Sequence, residues 1–158
     1  MWGSAYYTEH PTVPLKNIIA DLNIDMIGRT RGADDKNPRN AVLSGANEIY
    51  VVGASKLSTQ LGEAVKQVNG GLYGLSLNYK YDDPKDKEQI YYRSDHFNYA
   101  SKGVPIAFFF DGVHEDYHRV TDDVEKIDFP KMEKVVRTVH GLAWKLADGK
   151  NRPVVDGK

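Results

Sequence analysis

Short apolar runs alternate along the chain with stretches whose apolar residues recur at helical spacing. The run over 17–25 (NIIADLNID) predicts a buried strand that ends at Asp25. The segment 48–52 (EIYVV) predicts a second short strand, and the alternation over 75–81 predicts a third with one wetter face. The most apolar run, 104–110 (VPIAFFF), is expected to form the central strand of the sheet.

Three stretches between and after these strands have the pattern of helices. In 55–69 the apolar residues fall on one face, with Ser55 as the expected N-cap and two glycines at the end. A short helix is expected over 94–101, with Ser94 as its cap. The last helix is expected over 130–147, because proline stands in its first turn and an apolar stripe follows.

This alternation of strands and helices predicts an α/β fold, with a mostly parallel or mixed sheet and flanking helices. The residues before Pro11 read as the tail of a further helix. We expect one domain over 1–150 and a disordered tail over 151–158. In such sheets, sites form beyond the carboxyl ends of strands. That rule indicates three places, 25–28, 93–97 and 111–123.

Composition narrows the classes of function. With 41% hydrophobic and 27% charged residues the 158-residue chain is globular, and its net charge of -1 gives no bulk attraction to nucleic acid or to an anionic membrane. No run in the sequence approaches the roughly 20 apolar residues of a membrane span. Cysteine is absent, so a metal site would have to use His, Asp or Glu.

Two of the three places hold residues that could bind a metal. Asp25 ends its strand, where a carboxylate can reach into a crevice, although an aspartate there is more often a turn-former or a cap. The loop after the central strand is rich in polar groups, which are ligands and hydrogen-bond donors in metal sites but also occur in solvated loops: His114, Asp116, Tyr117, His118 and Asp122. Spacing alone does not rank His114 against His118 as a ligand.

The third place is the tetrapeptide at 93–96, Arg-Ser-Asp-His. Ser94 is explained as a helix cap, and Asp95 as a favourable charge near the positive end of a helix. The alternative role of Asp95 is to orient an imidazole that is bound to a metal.

Taken together, three segments resemble the co-catalytic dizinc exopeptidases of the bacterial leucyl aminopeptidase and glutamate carboxypeptidase family. They are LNIDMIGR at 22–29, RSDHFNYASKGVPIAFFFDG at 93–112, and the stretch from DYH at 116–118 to EKID at 125–128. Each segment is weak alone, whereas their order and spacing match over nearly the whole chain. The resemblance implies that 1–150 is a partial zinc-exopeptidase catalytic domain.

The resemblance also implies roles for individual residues. Asp25 and His118 are the expected terminal ligands of two different zinc ions, and Tyr117 is expected to stabilise the tetrahedral intermediate. Asp95, with Ser94 and Asp122, is expected to support the site, and His114 becomes the second choice as a ligand. The three other ligands of the family, and its general base in a Glu-Glu pair, are expected to lie upstream of this sequence.

These implications set the expected function. The parent protein would remove N-terminal residues from peptides, whereas this polypeptide alone is expected to bind zinc weakly and to hydrolyse nothing. A carboxypeptidase or cyclase of the same family, or a non-catalytic interaction domain, are the alternatives. An exposed sheet edge predicts a homo-oligomer, and the resemblance favours a periplasmic or secreted parent. No nucleic acid partner and no membrane span are expected.

Overall fold

Four strands form one mixed sheet in the computed structural model, which describes residues 1–157. The order across the sheet is β1-β4-β2-β3, with β1 parallel to β4, β2 parallel to β3, and β4 antiparallel to β2. The strands are β1, Asp21–Ile24; β2, Glu48–Val52; β3, Ser76–Asn78; and β4, Ile106–Phe110. This confirms the predicted α/β class and the central place of the most apolar run.

Five α-helices surround the sheet. They are α1, Trp2–Glu9; α2, Ala54–Leu57; α3, Thr59–Gly71; α4, His96–Ala100; and α5, Phe129–Ala147. Short 3-10 helices lie at Leu15–Asn17, Pro38–Asn40, Lys80–Asp82, Ile90–Tyr92 and Val124–Lys126. None of the helices within residues 1–157 combines the length and the hydropathy that a membrane crossing requires.

The two faces of the sheet pack against different elements, and β4 belongs to both. Ala107 and Phe109 lie in the core formed with α3 and α5, where Leu61, Val135 and Leu142 are fully buried. The residues of opposite parity, Ile106, Phe108 and Phe110, lie in an aromatic core with Tyr50, Tyr81 and Tyr91 on the face covered by α4 and the segment before it. The period of two along a strand produces this division.

The first strand differs from the prediction. It begins at Asp21, because Leu15–Asn17 form a 3-10 helix, and it lies at the edge of the sheet with β4 as its only neighbour. Its residues are therefore half-buried, and Ile24 is 40% exposed. The apolar run indicated a buried strand, but position in the sheet decides burial, and the run does not encode that position.

The expected caps at Ser55 and Ser94 are wrong. Ser55 lies inside α2, and the helix predicted over 55–69 is instead two helices, the second capped by Ser58, whose hydroxyl accepts from the Leu61 N–H at 3.2 Å. α4 begins at His96, and its cap position makes no side-chain hydrogen bond. Both serines were plausible caps, since several serines near a helix start are equivalent in sequence.

A buried ion pair joins α5 to the loop after β4. Lys131 and Asp111 are each 1% exposed, and Lys131 Nζ lies 2.8 Å from Asp111 Oδ1. Lys131 Nζ also donates to the Ser44 hydroxyl at 2.8 Å and to the Arg29 carbonyl at 3.0 Å. Asp111 Oδ2 accepts from the Arg29 N–H at 2.9 Å. The pair thus fixes the segment that follows β1 against the segment that follows β4.

The residues from 151 onward, predicted as a tail, lie against the domain as far as 157. The N–H groups of Asp156 and Gly157 donate to the Leu57 carbonyl at 3.1 and 3.0 Å. Arg152 Nη2 donates to the Gly103 carbonyl at 2.8 Å. Lys158 lies outside the described residues, and the domain boundary near 150 stays a prediction.

Candidate active site

Asp25 follows β1 at the point where the chain turns away from the sheet. Its N–H still donates to the Phe109 carbonyl at 3.3 Å, and the next residue, Met26, has a left-handed backbone with φ of 57°. Asp111 N–H donates to the Met26 carbonyl at 2.8 Å and so holds this turn. A residue other than glycine is uncommon in the left-handed region, and such residues concentrate at functional sites.

A relay of two neutral donors, a hydroxyl and an amide, orients the Asp25 carboxylate. The buried Ser94 hydroxyl donates to Asp25 Oδ2 at 2.8 Å and accepts from Asn23 Nδ2 at 2.9 Å. Ser94 therefore supports Asp25 directly and is not a helix cap. Asn23 was not singled out from the sequence, although its place two residues before Asp25 on one strand puts both side chains on the same face.

His96 lies below this relay in the aromatic core. It is fully buried, stacks on Phe108 with 4.3 Å between ring centres, and its Nε2 lies 2.8 Å from the Tyr91 carbonyl. Because a carbonyl only accepts, Nε2 carries the proton and Nδ1 faces Asn23 Nδ2 at 3.5 Å as an acceptor. Burial lowers the pKa of His96 to about 4, so the ring is neutral near physiological pH.

Tyr117 and His118 lie on the loop after β4. Their rings are stacked, with 3.9 Å between centres and an angle of 21°, and His118 has a left-handed φ of 56°. His118 is exposed, whereas Tyr117 is half-buried, with the Arg93 guanidinium 6.0 Å from its ring centre. The loop therefore presents an imidazole and a phenol side by side.

Charged groups hold this loop from beneath. The carboxylate of buried Asp116 accepts from Lys126 Nζ at 2.7 Å, from the Thr121 hydroxyl at 2.6 Å and from Arg29 Nη2 at 3.0 Å. The bond from Lys126, followed by those from Thr121 and Arg29, keeps the pKa of Asp116 far below its usual range. Asp122, a predicted supporting residue, pairs with the same Arg29 at 2.6 Å.

One pocket brings the two places together. Asp25, Ser94 and Tyr117 all line a pocket with an empty volume of about 280 Å³, its open mouth included. The other lining residues are mostly apolar: Met26, Ile90, Arg93, Phe108, Phe110 and Val113. His118 is not among them. The alternation along β4 could have indicated Phe108 and Phe110, whereas Ile90 and Val113 reach the pocket only through tertiary packing.

Asp95 and His114 lie elsewhere. Asp95 accepts from the Ser4 hydroxyl at 2.5 Å and pairs with the Met1 amino group at 3.1 Å, and the Ser4 bond is the main cause of its lowered pKa. His114 is 6% exposed, and burial lowers its pKa. Within residues 1–157 the carboxylate of Asp95 is thus bound to the amino-terminal helix and not to an imidazole.

The described residues do not complete a metal site. A catalytic zinc ion takes about three protein ligands, and no group of three or more His, Asp or Glu side chains in residues 1–157 could hold a metal. Asp25 and His118 are donors of the types that zinc accepts, but two ligands are fewer than the three that such a site needs.

Fold and pocket define an α/β domain with a pocket at the ends of β1 and β4. Residues 1–143 match Peptidase family M28, so the chain belongs to that family. This confirms the resemblance stated from the three segments. A comparison with curated proteins finds no match.

Solved aminopeptidases share the fold. The chain is similar to an aminopeptidase from Aneurinibacillus sp. strain AM-1 (TM-score 0.63, 18% identity, 99% of this chain and 32% of that one). It is similar to the LapA aminopeptidase of Legionella pneumophila, with a TM-score of 0.67 and 17% identity over 94% of this chain and 36% of that one. It is also similar to BSAP, a zinc aminopeptidase from Bacillus subtilis, with a TM-score of 0.64 and 20% identity over 98% of this chain and 35% of that one. The chain thus spans about a third of the length of these proteins.

Proposed function

We propose that this domain belongs to a zinc-dependent aminopeptidase, which removes N-terminal residues from peptides. The observation that carries the proposal is the shared pocket, in which Asp25 and Tyr117 lie beside an apolar wall. Membership of Peptidase family M28 supports it. The similarity to solved aminopeptidases supports the fold on which the proposal rests.

In the proposed site Asp25 and His118 would each hold a different zinc ion. Zinc bound there would supply Lewis-acid activation of water and of the scissile carbonyl. Since two donors are fewer than a zinc ion takes, further ligands would have to come from residues beyond this chain. The chain's own contribution is therefore to place two donors and to build the pocket around the substrate.

The relay from Asn23 through Ser94 positions one donor. Ser94 occupies Asp25 Oδ2, so Oδ1 is the oxygen left for a metal. A hydroxyl that donates to a metal-binding carboxylate fixes its orientation and tunes its basicity. Ser94 is therefore a positioning residue in this proposal.

Tyr117 performs the other task. Tyr117 lines the same pocket as Asp25, and its phenol can donate a hydrogen bond to the oxyanion that forms as the peptide carbonyl is attacked. No general base is assigned within the described residues, since Asp25 is the one carboxylate among those that line the pocket and it is assigned to a metal.

The pocket favours an apolar side chain at the first residue of the substrate. Phe108, Phe110, Ile90, Met26 and Val113 provide its wall, and Arg93 is the one cation among the lining residues. Burying an apolar side chain there is favourable by roughly 25 cal/mol per Å² of area removed from water. We expect leucyl and phenylalanyl substrates to be preferred over glycyl or lysyl ones.

The complete gene product, purified without chelator and supplied with zinc, tests the proposal. We expect it to hydrolyse leucyl-4-nitroanilide, and Asp25→Ala and His118→Ala to abolish turnover while the far-ultraviolet circular dichroism stays unchanged. A carboxypeptidase would instead cleave N-blocked peptides, and a non-catalytic domain would cleave neither, so either result would sink the proposal.

The polypeptide of residues 1–158 provides the contrast. We expect it to bind zinc weakly and to leave the anilide intact, because its two ligands serve different ions. Metal analysis after dialysis measures this. Tight, stoichiometric zinc in the short chain would refute the assignment of Asp25 and His118 to separate ions.

A periplasmic or secreted location is proposed from the family resemblance alone.

The unpaired edge of β1 is the proposed surface for self-association. β1 has a partner strand on one side only, and Ile24 is exposed at that edge. Light scattering should show a dimer or larger species that Ile24→Lys shifts toward monomer. A wild-type chain that stays monomeric at high concentration contradicts the proposal.

A further inference from the structure

A second depression shares two wall residues with the active-site pocket. Val113 and Tyr117 line both, so one wall separates an apolar pocket on the Asp25 side from a polar one that includes Arg39, Arg119 and His114. We name the second depression the arginine pocket.

Its walls are held together by hydrogen bonds between two loops. Glu115 N–H donates to Asn40 Oδ1 at 2.8 Å, while its carboxylate accepts from Asn37 Nδ2 at 2.6 Å and from Asn40 Nδ2 at 3.4 Å. The buried Asn40 ends the 3-10 helix that carries Arg39, so these bonds fix Arg39 relative to the loop of Tyr117. The pocket is thus a constructed site and not a gap between unrelated loops.

Of the charged side chains that line it, the two arginines are the ones without a bonding partner among residues 1–157. Glu115 is occupied by two asparagines, and Glu88 pairs with Arg93 at 3.6 Å. Among residues 1–157, neither Arg39 nor Arg119 has an acidic partner for its guanidinium, and neither makes a side-chain hydrogen bond. Two free guanidinium groups in one depression are suited to a carboxylate, which they bind through charge-assisted and often bidentate bonds.

His114 adds an independent observation. The residue is only 6% exposed, and it lines the arginine pocket. Its Nδ1 has no hydrogen-bond partner within the described part of the chain. Buried polar atoms are almost always paired, so an unpaired one in a pocket wall calls for a reason. Binding of a peptide, directly or with water, would supply such a partner.

We propose that the arginine pocket binds the C-terminal carboxylate of a short peptide whose first side chain occupies the apolar pocket across Tyr117. The inference rests on the proposed aminopeptidase function and deepens it, since it selects short peptides with a free carboxylate over blocked or long ones. Arg39 and Arg119 are the specificity-determining residues.

Titration of two matched peptides into the ¹⁵N-labelled chain tests the binding without any turnover. The probes are Leu-Gly-Gly and its C-terminal amide, followed through the backbone amides of residues 37–40 and 113–119. We expect the free acid to shift these signals and to bind about tenfold more tightly than the amide, because the amide forfeits a charge-assisted contact. Equal affinities for the two probes would overturn the proposal.

Arg39→Gln is the first variant, because the arginine is exposed and its side chain holds no other residue in place. We expect it to remove the preference for the free acid, and Arg119→Gln to do the same. Lys36→Gln is the matched control, since it removes one positive charge from an exposed position on the same loop outside the pocket. A preference that survives both arginine variants, or that Lys36→Gln also abolishes, contradicts the assignment.

Kinetics of the complete gene product separate this inference from the function on which it rests. Arg39→Gln should raise KM for Leu-Gly-Gly about tenfold and leave kcat, and the KM for the amide, unchanged. If wild type hydrolyses neither peptide, the aminopeptidase proposal fails while the titration still decides the pocket. If it hydrolyses both and Arg39→Gln changes neither KM, the arginine pocket fails alone.

Discussion

The two sides of the active-site pocket are held in place by different kinds of interaction. On one side the Asp25 carboxylate is oriented by hydroxyl and amide groups, Ser94 and Asn23, above a neutral buried imidazole. On the other side Tyr117 and His118 stand on a loop that is anchored by three donors to the charged carboxylate of Asp116. Neutral relays are little affected by salt, whereas partly exposed ion pairs are screened by it.

This difference shows how one fold can place two polar groups in the same pocket by different kinds of contact. Asp25 follows a strand, while Tyr117 lies on a loop that depends on charges for its shape. The buried pair of Asp111 and Lys131 is a feature that both sides share, because it contacts the segment after β1 and begins the segment after β4.

Lys131→Met should have the largest effect, because it removes the feature common to both sides. It leaves Asp111 buried without its cation, which costs about 3 to 5 kcal/mol of the free energy of unfolding. Urea denaturation measures the loss. The control is Lys145→Met on the same helix, at an exposed position, which should change stability by less than about 0.5 kcal/mol. Equal effects of the two variants would show that the buried pair is not a common support.

Tyr117→Phe tests the loop side alone. Loss of one oxyanion donor should lower kcat of the complete gene product by about 10² to 10³, with KM little changed. Steady-state kinetics with leucyl-4-nitroanilide measure it. The ring remains, so its stacking on His118 is retained and the unfolding midpoint should stay the same. A kcat within twofold of wild type would remove Tyr117 from the chemistry.

Ser94→Ala tests the strand side. Without its donor the Asp25 carboxylate is free to turn, so zinc affinity of the complete gene product should fall by about tenfold. Competition with a chromophoric chelator gives the affinity, and Ser101→Ala, which loses only an exposed bond to the Asn98 carbonyl, is the control. If Ser94→Ala binds zinc as tightly as wild type, the relay does not position the ligand.

Acid should act on the strand side first, and this is the smallest of the four effects. His96 has a pKa lowered to about 4 from 6.5, so its contribution to stability is complete above pH 6.5 and is lost as the pH falls toward 4. The expected loss between pH 6.5 and 5.5 is about 1 kcal/mol. The pKa of Asp116 is lowered far below 3.8, so the loop side keeps its contribution throughout that interval.

An NMR titration of the histidine rings checks this order. The His96 ring should remain neutral at pH 5, while exposed His118 provides an internal comparison under the same conditions. A His96 ring that titrates near 6.5 would show that it is not buried as the structure has it, and the two sides would then lose their different acid responses.

The sequence predicted the parts of this molecule that depend on local pattern. The strand Glu48–Val52 and the long helix near 130–147 lie where their patterns indicated, since their apolar spacing is unambiguous. The edge position of β1 and the choice of Ser58 over Ser55 as a cap were not predictable, because sheet order and helix phase are set by tertiary packing.

The candidate site divides in the same way. The rule that sites lie beyond strand ends placed Asp25 and the loop of Tyr117 near each other, and the pocket that they both line agrees with that rule. The cap expected at Ser94 was wrong, whereas the supporting role that the resemblance implied for it agrees with its bond to Asp25. Arg39 lies on a loop that the sequence showed only as polar. Its approach to Arg119 depends on the contact between Asn40 and Glu115, two residues that are 75 positions apart.

The alternation of β4 between two cores has a consequence for how such a domain can diversify. Phe108 and Phe110 shape the pocket, whereas Ala107 and Phe109 hold the sheet to α3 and α5. Mutations at positions 108 and 110 therefore change the pocket wall together with the aromatic core, whereas mutations at 107 and 109 change only the core with α3 and α5. Neighbouring codons of one strand thus act on opposite faces of the sheet, and the pocket can change only within what the aromatic core tolerates.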